Sequence, residues 1–454
     1  MRGGHIDDVA LQTDDMEDRD DEDEARERPF NAHRFADGAA ANEVIAEAIN
    51  LLTNCERHLR LRRNKRRPAD QKTFEATVEA ILCDLMHYRL CDGELGVFVT
   101  RSHQVLGTRS RYRPPAYNKQ FRHVLDLMER PEMGYIVQDV AAPVHGNRRS
   151  TVIRPGPSLI ERMDGTDIAL DDLGKSPHGE TIVLKSTKDP TDYWDVSELR
   201  EYDDTDETER MRSELAEINH WLAGADIRFS HTGVPYPHTV VDIRERQLRR
   251  VFTRERFDSG GRLFGGFWQN LRKQERRVGI SIGGERAVEL DYGQAGPRIL
   301  YGMAGHEPPS NDLYAMPGYY QQRDGIKKVM SAMIFASDRL DRFPKDTKKL
   351  FRRSDKISEV QDEIERRHPL IADHFYRGLG HHTQFIESRI IIDVVLSAKA
   401  QGIFALPIHD AVMIPASSAP AVEKIMFDAF HRHSGVRGVV TQPAQDMAMW
   451  EGGL

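Results

Sequence analysis

The stretch that most constrains this chain is Ala287-Val-Glu-Leu-Asp-Tyr-Gly-Gln-Ala-Gly-Pro-Arg-Ile-Leu-Tyr301. It opens with a short apolar run that reads as a buried strand ending at Asp291. Proline is barred from a helix interior but tolerated in the first turn. The spacing therefore predicts a turn through Tyr292 to Gly296 and a helix entered around Pro297. A carboxylate at the end of a core strand is costly unless it is paired or holds a metal. Two readings stand: an Asp capping a strand–helix turn, or a metal ligand.

A second segment, Phe404-Ala-Leu-Pro-Ile-His-Asp-Ala-Val-Met-Ile414, has the pattern of an apolar hairpin with His409 and Asp410 in its middle. Carboxylates from two separate core strands, Asp291 and Asp410, can share divalent metal ions and drive in-line displacement at phosphorus. Between these segments, helical spacing puts Arg323, Lys327, Ser331 and Phe335 close to one face. Two cations followed by an aromatic ring suit a triphosphate followed by a base. An ordinary amphipathic helix with a solvated basic edge has the same pattern.

In this order the three segments resemble motifs A, B and C of the family-A right-hand polymerases, which include the single-subunit RNA polymerases. Family-A DNA polymerases carry D-Y-S-Q-x-E-x-R at motif A; this chain has Asp291-Tyr-Gly-Gln-Ala-Gly-Pro-Arg298. Motif B is R-x-x-x-K followed eight residues later by Tyr, and Arg323, Lys327 and Phe335 are similar to it. Motif C, H-D-E or H-D-S, resembles His409-Asp410-Ala411, and Gly261-Arg262-Leu263 resembles the T-G-R-L element upstream of motif A. The resemblance covers roughly residues 240 to 415.

The resemblance implies a nucleotidyltransferase: a template-directed polymerase that adds rNTPs or dNTPs to a primer 3′-hydroxyl. Asp291 and Asp410 would hold two Mg²⁺ or Mn²⁺ ions, with the carbonyl of Tyr292 completing a shell. Arg323 and Lys327 would clamp the phosphates, Lys327 also protonating the leaving pyrophosphate. Phe335 would lie against the incoming base or sugar, and His409 would support the primer end or orient Asp410. Arg262, Gln384 and Arg298 fall among the implied nucleic-acid contacts. Departures matter too. Gly296 stands where DNA polymerases carry the Glu that blocks a 2′-hydroxyl, as in the single-subunit RNA polymerases. Phe335 replaces their ribose-selecting Tyr, Ser331 replaces an aromatic residue of the DNA polymerases, and Pro297 and Ala411 are atypical. Use of both sugars is the expectation. A decayed polymerase fold acting as a DNA-binding protein and an untemplated nucleotide-adding enzyme are the competing readings.

The net charge of −8 speaks against a global polycation. Much of it sits in the acidic block of residues 7 to 27, which reads as part of a disordered arm over 1–40. Nucleic-acid binding must then rely on local patches, such as Arg60 to Arg67 and the pair Arg148-Arg149. Residues 41–200 read as a winged-helix-like α+β domain: a helix from Asn118 to Glu129, a strand from Gly134 and a basic return from Arg148 to Arg154. A small α+β scaffold packed on its neighbour explains the same pattern. Residues 201–240 read as a linker with a reduced thumb-like helix, and 241–454 as palm and fingers, an α+β fold overall. No apolar run is long enough to span a bilayer, and the acidic N-terminus lacks a signal-peptide core. Three cysteines without metal spacing, Cys55, Cys83 and Cys91, fit a reducing cytoplasm.

Overall fold

A computed structural model describes residues 28–91, 95–108, 110–140, 151–176, 179–187, 197–230 and 241–442. The acidic block and the Arg148-Arg149 pair lie outside the described residues. The protein is mixed α+β and divides into two compact units, Met1–Glu180 and Thr181–Leu454.

In the first unit the elements run β1 (Arg28–Pro29), β2 (Arg34–Ala36), α1 (Ala39–His58), α2 (Pro68–Leu90), β3 (Val97–Val99), α3 (His103–Gly107), α4 (Phe121–Glu129), β4 (Ile136–Asp139), β5 (Thr151–Pro155), α5 (Pro157–Asp164) and β6 (Leu173–Lys175). One sheet has the order β1-β3-β5-β4, and β2 pairs with β6. Pro68 opens α2 at a position where its missing N–H costs nothing. That helix buries Phe74, Ile81, Leu82 and Leu85 completely. Helix α4 followed by the β4–β5 hairpin has the order expected of a winged helix. Yet α4 is held by its own chain on both sides. Phe121, Val124, Leu125 and Leu127 are buried, while His123 Nε2 lies 2.7 Å from Glu56 Oε1 and Arg122 Nη1 2.7 Å from His103 Nε2. The basic run after α1 is not helical: α1 stops at His58, and Arg60 takes a φ of 51°. Arg66 belongs to the unit's interior, with its guanidinium 2.6 Å from Glu56 Oε1 and 3.6 Å from the centre of the Phe74 ring. It is a packing cation, whereas Arg62, Arg63, Lys65 and Arg67 stay exposed.

The second unit contains β7 (Ile182–Leu184), α6 (Asp206–Ala223), β8 (Ile227–Phe229), β9 (Arg249–Phe252), β10 (Gly260–Phe264), α7 (Lys273–Gly279), β11 (Ile280–Ile282), β12 (Glu285–Tyr292), α8 (Ala295–Met303), α9 (Arg323–Phe335), α10 (Ile357–Arg367), α11 (Gly380–Ala400), β13 (Leu406–Ile408), β14 (Ala411–Pro415), α12 (Ala419–Ser434) and β15 (Val440–Thr441). Its main sheet runs β13-β14-β12-β11-β8, with β15 also on β12; a second sheet runs β10-β9-β7. Thr205 caps α6, and three acids fill its first turn, where the helix dipole favours them. The stripe Met211, Leu215, Ile218 and Leu222 of this helix joins the same core as β12 and β14. The helix expected to act as a thumb is thus a core element. Helix α9 buries Ile326, Val329, Met330 and Met333 in a separate cluster with Ile364 of α10. Among the described residues no helix is long and apolar enough to cross a membrane, and the three cysteines are free.

Candidate active site at two strand-end carboxylates

Strands β12 and β14 are antiparallel, with Asp291 facing Ala411. The residue before Ala411 is Asp410, whose carbonyl accepts a hydrogen bond from the Tyr292 N–H at 3.2 Å. The two carboxylate-bearing residues therefore come from adjacent strands, at the same end of the sheet. Asp410 sits in a two-residue turn, because Ile408 pairs directly with Ala411. His409, the first turn residue, has a φ of 51°. Such turns normally take Gly, Asn or Asp at that position, and a left-handed residue with a large side chain stores strain of about 1–3 kcal/mol. Across the site, Gln294 after β12 is also left-handed, at 62°. Left-handed backbone thus lies just before Asp410 and three residues after Asp291.

Asp291 Oδ1 is buried and has no hydrogen-bond partner among the described residues. Burial pushes the carboxyl up to about 7, helped first by the charge of Asp410 and then by that of Glu289; Lys273 and Lys327 oppose this. Glu289 lies two residues back on β12, on the same face of the strand. Its own cationic neighbours are Lys273 and Arg276 of α7, at 3.9 and 3.8 Å. An oxygen without a donor, in a site with clustered negative charge, fits a cation. Among the described residues no three His, Cys, Asp or Glu side chains form a group able to hold a metal. A pair of carboxylates suits an ion such as Mg²⁺, which keeps waters and substrate phosphates in its shell.

Helix α9 presents Arg323, Lys327 and Ser331 to solvent, opposite its buried face. Lys327 is close enough to Asp291 to favour its ionised form. Arg323 is held by Asp312 at 2.6 and 3.2 Å and lies 5.3 Å from the Tyr314 ring centre. Gln294 ties this group to the strand end: its Nε2 donates to Asp312 at 3.0 Å, and its Oε1 accepts from the Leu313 N–H. Gly296 is open, since a Cβ there would only reach ordinary contact with Ile334, at 3.6 Å. Phe335, at the end of α9, packs edge-on against His381 at 5.1 Å. Gly380 makes that fit possible, for a side chain there would collide with the Phe335 ring.

The glycines before Arg262 are required. Gly260 and Gly261 have φ of 77° and 76°, and a Cβ on Gly261 would come within 2.9 Å of Phe252. They bulge β10. Arg262 there makes an ion pair of 2.9 Å with Glu387 of α11. Glu387 is buried; burial raises its pKa, Arg262 lowers it, and Asp410 raises it further. His409 packs against Phe264 at 5.6 Å.

Other candidate residues lie elsewhere. Arg298 is buried, donating to the Arg437 carbonyl at 3.1 Å and to Gln294 Oε1 at 3.4 Å. It braces the turn after β12 and offers nucleic acid no surface. The Tyr292 side chain is also in the core, its hydroxyl donating to the Met426 carbonyl at 2.7 Å. Only its main chain is available to the site. Gln384 lies on α11, 3.2 Å from His381 Nδ1. Sequence reasoning gave no role to Gln294, Asp312, Tyr314 or Glu387. Only Glu387 left a signal, an acid inside the apolar stripe Phe385-Ile-Glu-Ser-Arg-Ile-Ile-Ile392.

No known family matches the chain, and no curated protein does. Solved structures do match, among them the POL domain of Pol1 from M. smegmatis in complex with DNA primer-template and dNTP. The similarity is 9% in sequence with a TM-score of 0.29, over 90% of this chain and 66% of that one. Similarity at this level defines neither fold nor chemistry.

Proposed function

We propose that the protein is a nucleotidyltransferase with a family-A-like palm in its second unit, adding nucleotides to a 3′-hydroxyl on a template. One observation carries this reading: Asp291 and Asp410 lie side by side at a sheet end, with a buried carboxylate oxygen that has no donor among the described residues. Residues 241–454 would form palm and fingers, and 41–200 a winged-helix-like nucleic-acid-binding domain. Partners would be a primer–template and nucleoside triphosphates, in the cytoplasm.

Asp291, Asp410 and the Tyr292 carbonyl would hold Mg²⁺ or Mn²⁺. Such ions, when bound, neutralise the phosphates and acidify the attacking hydroxyl. In the reaction the 3′-hydroxyl gives its proton to solvent and its oxygen bonds to the α-phosphorus while the bond to pyrophosphate breaks. Lys327, exposed and near Asp291, holds the leaving phosphates and gives them a proton. Arg323 reaches them by exchanging Asp312 for phosphate, with Tyr314 beneath its guanidinium. Arg262 likewise exchanges Glu387 for the primer end. Gly296 leaves the sugar's 2′ side open.

Incorporation of labelled nucleotides with Mg²⁺ or Mn²⁺, with and without template, tests the reading. Template-dependent extension is expected. Extension that ignores the template sequence would make this an untemplated enzyme, and its absence under every condition would leave a binding protein.

A further inference from the structure

Within the second unit, α6, β9, α11 and α12 line a half-open cavity of about 310 Å³. Arg250 of β9 lines it and is only 3% exposed. Its Nε donates to the Gly261 carbonyl and its Nη2 to Ser388 Oγ, both at 3.1 Å. Among the described residues no carboxylate comes within ion-pair distance of it; Glu214 and Glu207 act on it from further away, and burial holds its pKa down to about 10. A buried charge without a counter-ion is costly. Arg389 of α11 also lines the cavity and makes no ion pair among the described residues. The two guanidinium groups flank one ring, lying 5.6 and 6.0 Å from the centre of Phe385.

The acids of the cavity face other partners. Asp393 pairs with Arg432 and with His433. Glu207 and Glu214 face Arg210 at 3.9 and 4.0 Å. The four arginines of the lining outnumber its three acids by one charge, and Arg250 and Arg389 lie beside an aromatic ring, with Met211, Ile392 and Leu396 as apolar wall. Arginine forks match phosphate, and the apolar wall suits a sugar or base. Ligand sites run from roughly 300 to 1,000 Å³, so this one takes a single nucleotide rather than a strand.

We propose that this cavity is a second site, for a nucleoside monophosphate, with Arg250 and Arg389 on the phosphate and Phe385 against the ring system. It does not depend on the carboxylate site having polymerase activity. Calorimetric titration of the full chain without divalent ions tests it, using a nucleoside 5′-monophosphate, inorganic phosphate and the unphosphorylated nucleoside. The monophosphate should bind one-to-one, phosphate more weakly and the nucleoside not at all. Arg389→Ala, at an exposed position, should weaken monophosphate binding roughly 10-fold or more. Leu396→Trp, which fills the cavity, should abolish it, and Lys327→Ala should leave it unchanged. Absence of binding, equal affinity for phosphate and monophosphate, or indifference to Arg389→Ala and Leu396→Trp would overturn the assignment. So would loss of binding in Lys327→Ala, which would put the nucleotide at the carboxylates.

Discussion

Two aspartates, one in each unit, show how differently the same side chain can be housed. Asp84, wholly buried on α2, is saturated. It accepts from Arg28 at 2.8 and 3.1 Å, from Arg34 Nε at 3.1 Å and from the Asn31 N–H at 3.0 Å. Asp291 has the charges of Asp410 and Glu289 for neighbours and an oxygen with no donor among the described residues. A saturated carboxylate fastens a terminal segment to a helix. A carboxylate oxygen that is buried without a donor is left open to a cation.

The contrast can be broken most directly through activity. Asp291→Asn or Asp410→Asn should reduce nucleotide incorporation by about 10⁴-fold or more, because groups that act as a unit fail together. Retention of near wild-type turnover by either variant would remove the site from catalysis. Asp84→Ala should do the opposite, leaving the chemistry intact in whatever protein folds. It should cost the first unit about 3–5 kcal/mol, since two arginines lose their buried partner; thermal melts of the variant measure this.

A finer distinction lies in pH. Burial raises the folded-state pKa of Asp291 to about 7, so the folded protein binds a proton there that the unfolded chain releases. The resulting stabilisation is present at low pH and fades as pH rises through about 7. Without metal, Asp291→Asn should therefore be more stable than wild type by about 1–3 kcal/mol at roughly pH 8, and near equal at about pH 4. Added Mn²⁺ should raise the wild-type melting temperature most at high pH and leave the variant unmoved. A variant that melts lower at both pH values would show that Asp291 has a partner after all.

The smallest effect concerns the sugar. Gly296 gives no bulk and Phe335 no hydroxyl, so rNTPs and dNTPs should differ in kcat/KM by less than about 10-fold, against ~10⁴ for a site that bonds the hydroxyl. Gly296→Glu should shift use towards dNTPs and Phe335→Tyr towards rNTPs. Phe335 packs on His381, so a null result for the second variant alone would show that this ring faces α11 rather than the nucleotide.

Much of the site's frame could be read from the chain. The strand expected to end at Asp291 runs one residue further, to Tyr292, and the helix expected near Pro297 starts at Ala295; these and the His409-Asp410 turn follow, within two residues, from periodicity and from the grammar of proline and glycine. The exposed face of Arg323 and Lys327 follows from helical spacing. Partners were harder, because a pair such as Arg262 and Glu387 is 125 residues apart in sequence and carries no local pattern. The same holds for Arg66, whose neighbours along the chain suggested phosphate while Glu56 and Phe74 had already engaged it. Gln294 was hidden for another reason: nothing in a glutamine announces a left-handed backbone.

Timing follows from β15. Asp291 and Tyr292 pair with Thr441 and Val440, and the Thr441 hydroxyl donates to the Asp291 carbonyl across 150 residues. At about 5–20 residues per second, a ribosome works for roughly ten seconds or more after making Asp291 before the last neighbour of that strand exists. Until then the strand that carries Asp291 has an open edge at that residue.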